Sequence, residues 1–137
     1  MFTSNFARLK RLPKEGKPVC IAIGAPRWYR GERYTDLAPA REMLSLPRAE
    51  FDLEYSKILQ HLDPEQVYED LGENAIMLCW ETPNTWCHRR RAAEWLEDAC
   101  GILIPEFSFE REDTLQYVEL EEAKKKTKKP SSQSSLF

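Results

Sequence analysis

The sequence predicts a small α/β domain with a mostly parallel sheet flanked by helices, and three observations carry that expectation. Residues 18–24 (PVCIAIG) and 75–80 (AIMLCW) are short apolar runs of the kind that form buried strands. Stretches with helical apolar spacing separate and follow them, and strands alternating with helices favour a layered, parallel arrangement. The chain has 137 residues, enough for one modest core but not two.

In chain order, the first predicted strand is 18–24, bounded by Pro18 and Gly24. Residues 25–38 (APRWYRGERYTDLA) read as a loop rich in arginine and aromatics. Pro39 suits the first turn of a short helix running to about Leu46, and Pro47 interrupts it. From Arg48 the apolar residues Phe51, Tyr55, Ile58, Leu59 and Leu62 trace one face of an amphipathic helix. Asp63 followed by Pro64 is an N-cap and first-turn proline, and a short helix follows to Leu71 with Gly72 as a left-handed stop. The second strand is 75–80. A loop over 81–85 then leads to a helix from about Trp86 to Cys100, with a core face of Ala92, Trp95, Leu96 and Ala99 and a stop at Gly101. Residues 102–104 (ILI) form a third strand halted by Pro105, which makes 75–104 a strand–helix–strand crossover unit. For the acidic stretch 106–122, an edge strand and a short helix fit equally.

Composition bounds the function. Hydrophobic residues are 42% and charged residues 31%, as in soluble globular chains. No apolar run reaches the roughly 18 residues a membrane span needs, and charge arrives by Arg8, Lys10 and Arg11, which argues against a signal peptide. The net charge of −3 hides a split. Residues 1–122 hold all 23 acids and 15 of the 20 bases, a net −8, and 123–137 holds five lysines and no acid. An acidic body is a poor non-specific binder of nucleic acid. The tail (AKKKTKKPSSQSSLF) cannot bury apolar surface and reads as an extended linker. Hence the division expected is a body over 1–122 and a tail over 123–137. The cysteines Cys20, Cys79, Cys87 and Cys100 show no CxxC spacing, which favours a reduced, cytoplasmic setting over a disulfide framework.

The segment LCWETPNTWCHRRR places Cys87, His88 and Arg89 at the start of a helix that follows a strand. Ligands of open α/β sheets bind at that carboxyl edge, and a helix N-terminus favours an anion. Cys87 there gains thiolate character. The chemistry this suggests is a nucleotide or nucleic-acid ligand, with Cys87 as nucleophile, His88 as acid or base, Glu81 as orienting carboxylate and Arg89 on the anion. The alternative is a buried cysteine, a capping histidine and solvated arginines. A tyrosine-phosphatase loop is excluded, because six positions after Cys87 stands Ala93 rather than arginine. No recognised zinc spacing is present, so neither a metal nor a cofactor is expected. Arg27 and Arg30, interleaved with Trp28 and Tyr29, suit bases and phosphates or, equally, a packing cluster over the sheet edge.

TSNFARL near the start, then IAIGAPRWYRG, LAPAREML, and above all LCWE followed by CHRRRAAEWL, resemble the domain-of-unknown-function 488 family over about residues 2–105. The resemblance implies a small, usually cytosolic α/β domain without a settled activity. It marks Cys79, Glu81, Cys87, His88 and Arg89, with Arg27, as the site.

The final Gln133-Ser134-Ser135-Leu136-Phe137 resembles the short motif by which proteins dock on the bacterial DNA polymerase sliding clamp, with Ser134 where leucine is preferred. Leu136 and Phe137 would fill an apolar pocket and the Gln133 amide would bond at its rim. Burying each apolar side chain contributes about 1.5–3 kcal/mol before ordering costs, which sets the expected affinity near micromolar. The alternative is a polar tail with two stray apolar residues. The expectation is therefore a clamp-docking accessory protein of DNA replication, a design that suits a bacteriophage, or an enzyme working through Cys87, His88 and Arg89.

Overall fold

The computed structural model describes residues 1–82 and 86–109. Four parallel strands form one sheet in the order β1-β4-β2-β3: β1 is Phe2–Asn5, β2 Lys17–Cys20, β3 Glu32–Arg33 and β4 Ala75–Cys79. Three helices follow the sequence pattern: α1 is Arg48–Gln60, α2 Pro64–Leu71 and α3 His88–Cys100. The α/β class with a parallel sheet and helices is thus the architecture of the body. No helix among the described residues is long and apolar enough to cross a membrane.

Side-chain alternation along the strands divides the core. Val19, Ile21, Ala75 and Met77 pack with Phe51, Tyr55 and Leu59 of α1, Val67 and Leu71 of α2, and Ala92 and Leu96 of α3. Cys20, Ala22, Ile76 and Leu78 join a second cluster with Phe6 and Tyr29, supplied by a 3-10 turn over Phe6–Arg11 and the loop after β2. Helices therefore cover one face, and turns and loops cover the other.

The start of α2 and the end of α3 follow their sequence signals. Asp63 accepts a bond from the Glu65 amide and Pro64 opens α2. Gly101 ends α3 with φ 68°, ψ 33°, the left-handed conformation. Gly72 also takes a positive φ, but with ψ 150° the chain leaves α2 extended rather than left-handed. Between Pro39 and Pro47 there is room only for a 3-10 turn, Arg41–Ser45. On α3 the buried apolar residues are Ala92, Ala93 and Leu96, Trp95 is half-buried, and Ala99 is exposed, contrary to the expected face.

The strands differ from the expectation in four places: two were not expected, one is shorter and one is absent. β1 carries no apolar run, and its Thr3, Ser4 and Asn5 are buried polar residues, so no hydrophobic pattern announces it. β2 begins at Lys17 and ends at Cys20, although the Ile21 amide still donates to the Leu78 carbonyl at 3.0 Å. β3 pairs only with Val19 and Cys20, which leaves Pro18, lacking an N–H, where the ladder is one-sided. Residues 102–104 form no strand. The Ile104 amide donates to Glu97 Oε2 at 2.6 Å and its carbonyl accepts from Arg90 Nη2 at 2.6 Å, so side chains of α3 take the bonds that a sheet would use. Pairing with β1 comes two residues later, as a parallel bridge between Thr3 and Glu106.

Tyr55 is fully buried, and its hydroxyl donates to the Leu37 carbonyl at 2.7 Å, tying α1 to the 3-10 turn Thr35–Leu37. Tyr55→Phe leaves that carbonyl unpaired in the core. The expected cost is about 1–3 kcal/mol, read as a lower urea midpoint with unchanged slope.

Candidate thiol–imidazole site

β4 ends at Cys79, and Cys87 precedes α3 as an extended N-cap residue with φ −161°. The fold folds this segment back so that the two cysteines, both buried, meet in disulfide contact. This corrects the expectation of four unpaired thiols. The pairing was invisible in the spacing because it depends on the route of the chain from β4 to α3. Cys20 and Cys100 are free, and burial pushes both thiols up, away from reactivity.

His88 stands beside the pair, with Nδ1 3.8 Å from Cys87 Sγ. Its Nε2 lies 2.7 Å from the Ile21 carbonyl. A carbonyl only accepts, so Nε2 carries the proton and the Nδ1 lone pair faces the sulfur. Tyr55 packs against the ring edge-on. Burial, aided by the neighbouring Arg89 charge, pushes the His88 pKa down to about 4, against the bond to Ile21, so the ring is neutral near pH 7. The partner of His88 is thus a backbone carbonyl. Glu81 enters the site through its own carbonyl, which accepts from Asn5 Nδ2 at 3.0 Å, and it is an exposed residue.

The three arginines after His88 point in different directions, as three successive helical residues must, but all three are buried rather than solvated. Arg89 forms a fork with Glu106, Nε to Oε1 at 3.2 Å and Nη2 to Oε2 at 2.9 Å. It also donates from Nη1 to Cys79 Sγ at 3.4 Å and from Nη2 to the Thr82 carbonyl at 3.4 Å. Arg91 pairs with Glu94 and Asp52. Arg90 lies near Glu97 as well as holding Ile104. Arg89 is therefore spent on structure and on Cys79, and an anion at Cys87 has to find its charge elsewhere.

The arginine that lines the cavity there is Arg41, an exposed residue. A cavity of about 330 Å³ opens beside Cys79, Cys87 and His88, with Trp80, Trp86, Glu81, Phe51 and Arg41 among its lining residues. Trp80 is 54% exposed yet fixed, because its Nε1 donates to the Gly24 carbonyl at 2.8 Å and Phe6 abuts the ring edge-on. Trp86 packs edge-on against Phe51, and its buried Nε1–H has no partner among the described residues. Arg27 and Arg30 are exposed and do not line this cavity; Arg30 Nη1 bonds the Arg27 carbonyl at 2.7 Å. Tyr29, buried, anchors their loop by donating to the Glu32 carbonyl at 2.7 Å, while Trp28 is exposed. Arg41 and Glu106 were missed because each lies far along the chain from Cys87 and in no motif with it.

Gln133, Leu136 and Phe137 lie outside the described residues, as do 83–85 and the rest of 110–137. Compared with family models, curated proteins and solved structures, the chain matches none.

Because Glu106 is the carboxylate partner of a buried guanidinium, Glu106→Ala should lower stability by about 3–5 kcal/mol, whereas Arg89→Met combined with Glu106→Leu, which removes both charges, should cost clearly less. Urea unfolding of the three proteins makes the comparison.

Proposed function

We propose that the body binds a small ligand of nucleotide class in the cavity over Cys79, Cys87 and His88, and that the last five residues bring this body to a bacterial sliding clamp. The cavity carries the first part. It joins a fixed, exposed indole, an indole N–H with no partner among the described residues, and an arginine, the elements that hold a base, an acceptor and a phosphate. The second part rests on Gln133, Leu136 and Phe137 at the end of a lysine-rich segment. Five lysines favour encounter with an acidic partner surface, and the two apolar side chains supply the docking energy.

One observation favours a catalytic reading of the same cavity. Arg89 Nη1 on Cys79 Sγ stabilises a thiolate, so the nucleophile in the reduced protein is Cys79 rather than Cys87. His88, neutral and with Nδ1 toward Cys87 Sγ, offers a lone pair that can accept a hydrogen bond from the second thiol. A reduced, cytoplasmic setting is part of this proposal.

Titration of the full chain with AMP should quench tryptophan fluorescence. Trp80→Ala and Arg41→Ala should each weaken binding by about tenfold, in line with about 1–3 kcal/mol for a stacked base. An unchanged signal in the wild type defeats the ligand reading. For the tail, calorimetry against a purified bacterial clamp should give a dissociation constant of about micromolar order. The Leu136→Ala, Phe137→Ala double variant should lose most of that binding with the thermal midpoint of the body unchanged. Equal affinity of the two proteins would move the contact to the body.

A further inference from the structure

We propose that the reduced chain binds one zinc ion through Cys79 Sγ, Cys87 Sγ and His88 Nδ1, with the fourth coordination position open to the cavity. The inference deepens the ligand-site reading and rests on it for what that open position faces. The three donor atoms lie within 4.8 Å of one another, and all three residues are buried. Zinc bonds of about 2.3 Å to sulfur and about 2.0 Å to nitrogen place tetrahedral donors about 3.5–3.8 Å apart. The 3.8 Å between Cys87 Sγ and His88 Nδ1 already has this value. The Cα atoms of the cysteines are 7.7 Å apart. That separation leaves room for two thiolates to share an ion once the pair is reduced.

The surroundings meet the further needs of such a site. A histidine ligand is normally oriented by a bond from its other nitrogen, and His88 Nε2–H already donates to the Ile21 carbonyl. Arg89 donates to Cys79 Sγ as an outer contact, and its own charge is matched by Glu106. The charge count then closes. Two thiolates and a neutral imidazole around a divalent cation sum to zero in a buried place, whereas two bare thiolates would leave −2 there. Two sulfurs and an imidazole form a donor set that suits zinc and disfavours calcium or magnesium. With three protein ligands, the ion keeps one position for water or a substrate atom, and that position adjoins Trp80, Trp86 and Arg41.

The disulfide and the ion are alternative states of one cysteine pair. A phosphine reductant breaks the S–S bond, takes oxygen from water to become its oxide, and leaves two thiols. Zinc then displaces both thiol protons to solvent.

The test uses the full chain, reduced with a phosphine and freed of metal. Competition against a chromophoric chelator should show one zinc ion per chain. Cobalt substitution should give the d–d and sulfur-to-metal absorption bands of a tetrahedral thiolate site. Cys79→Ser and Cys87→Ser should abolish stoichiometric binding, and His88→Gln should weaken it at least about tenfold. If these variants fail to fold, the wild type alone still decides. Zinc should protect Cys79 and Cys87 from alkylation, and should leave Cys100 as reactive as in the metal-free protein. Absence of stoichiometric zinc in the reduced wild type, or alkylation of both cysteines at the metal-free rate, overturns the inference. Zinc binding without AMP binding would sink the ligand reading and leave the metal site standing, and AMP binding without zinc would do the reverse.

Discussion

Arg89 donates to both carboxylate oxygens of Glu106, to Cys79 Sγ and to the Thr82 carbonyl. One guanidinium thus ties the start of α3 to the end of β4, to the loop between them and to the segment after α3. Glu106 in turn accepts from the Thr3 hydroxyl at 2.6 Å, which brings β1 into the same network. Bidentate geometry and further hydrogen bonds to the guanidinium are the conditions under which a buried ion pair offsets its desolvation. The Thr3 amide and carbonyl also bond to Pro105 and Phe107, so the ion pair and the backbone bridge together hold the segment after α3 at the sheet edge and form the wall against which Cys79 lies.

Burial of a whole helix turn follows from this arrangement. His88, Arg89, Arg90, Arg91 and Glu94 are all buried, although an isolated helix with this composition would be solvated on most sides. Each charge has a specific receiver: Glu106 for Arg89, the Ile104 carbonyl for Arg90, Glu94 and Asp52 for Arg91. The polar network takes the place of hydrophobic packing near β1, whose own side chains are Thr, Ser and Asn. It also leaves these arginines out of the cavity lining beside Cys79, where Arg41 stands instead.

Much of the helical layer was legible in the chain. Phe51, Tyr55 and Leu59 recur at helical spacing, Asp63-Pro64 is a start signal, and Gly101 is a stop signal, all of which act through local chemistry. The strand Ala75–Cys79 was legible because its five residues are apolar and buried. β1 and β3 were not, since buried hydroxyl and amide side chains in one, and exposed charges in the other, give no hydrophobic contrast. The expected strand over 102–104 failed because side chains of α3 satisfied its backbone first.

The site divides in the same way. The sequence alone determined that Cys87 and His88 sit where a helix begins after a strand, because a strand-to-helix junction is set by neighbouring residues. It also determined that an acidic body is joined to a lysine-rich tail, because charge is counted rather than folded. Only the tertiary structure decided that Cys79 meets Cys87, that His88 is held by the Ile21 carbonyl, that Arg89 serves Glu106, and that Arg41 and Trp80 share the cavity. Those partners lie from 8 to 67 positions apart in the chain where a bond or bridge joins them. No local preference encodes such a meeting; it arises from the sheet order, which sets β4 beside β1 and β2 and directs every chain end at that edge toward one place.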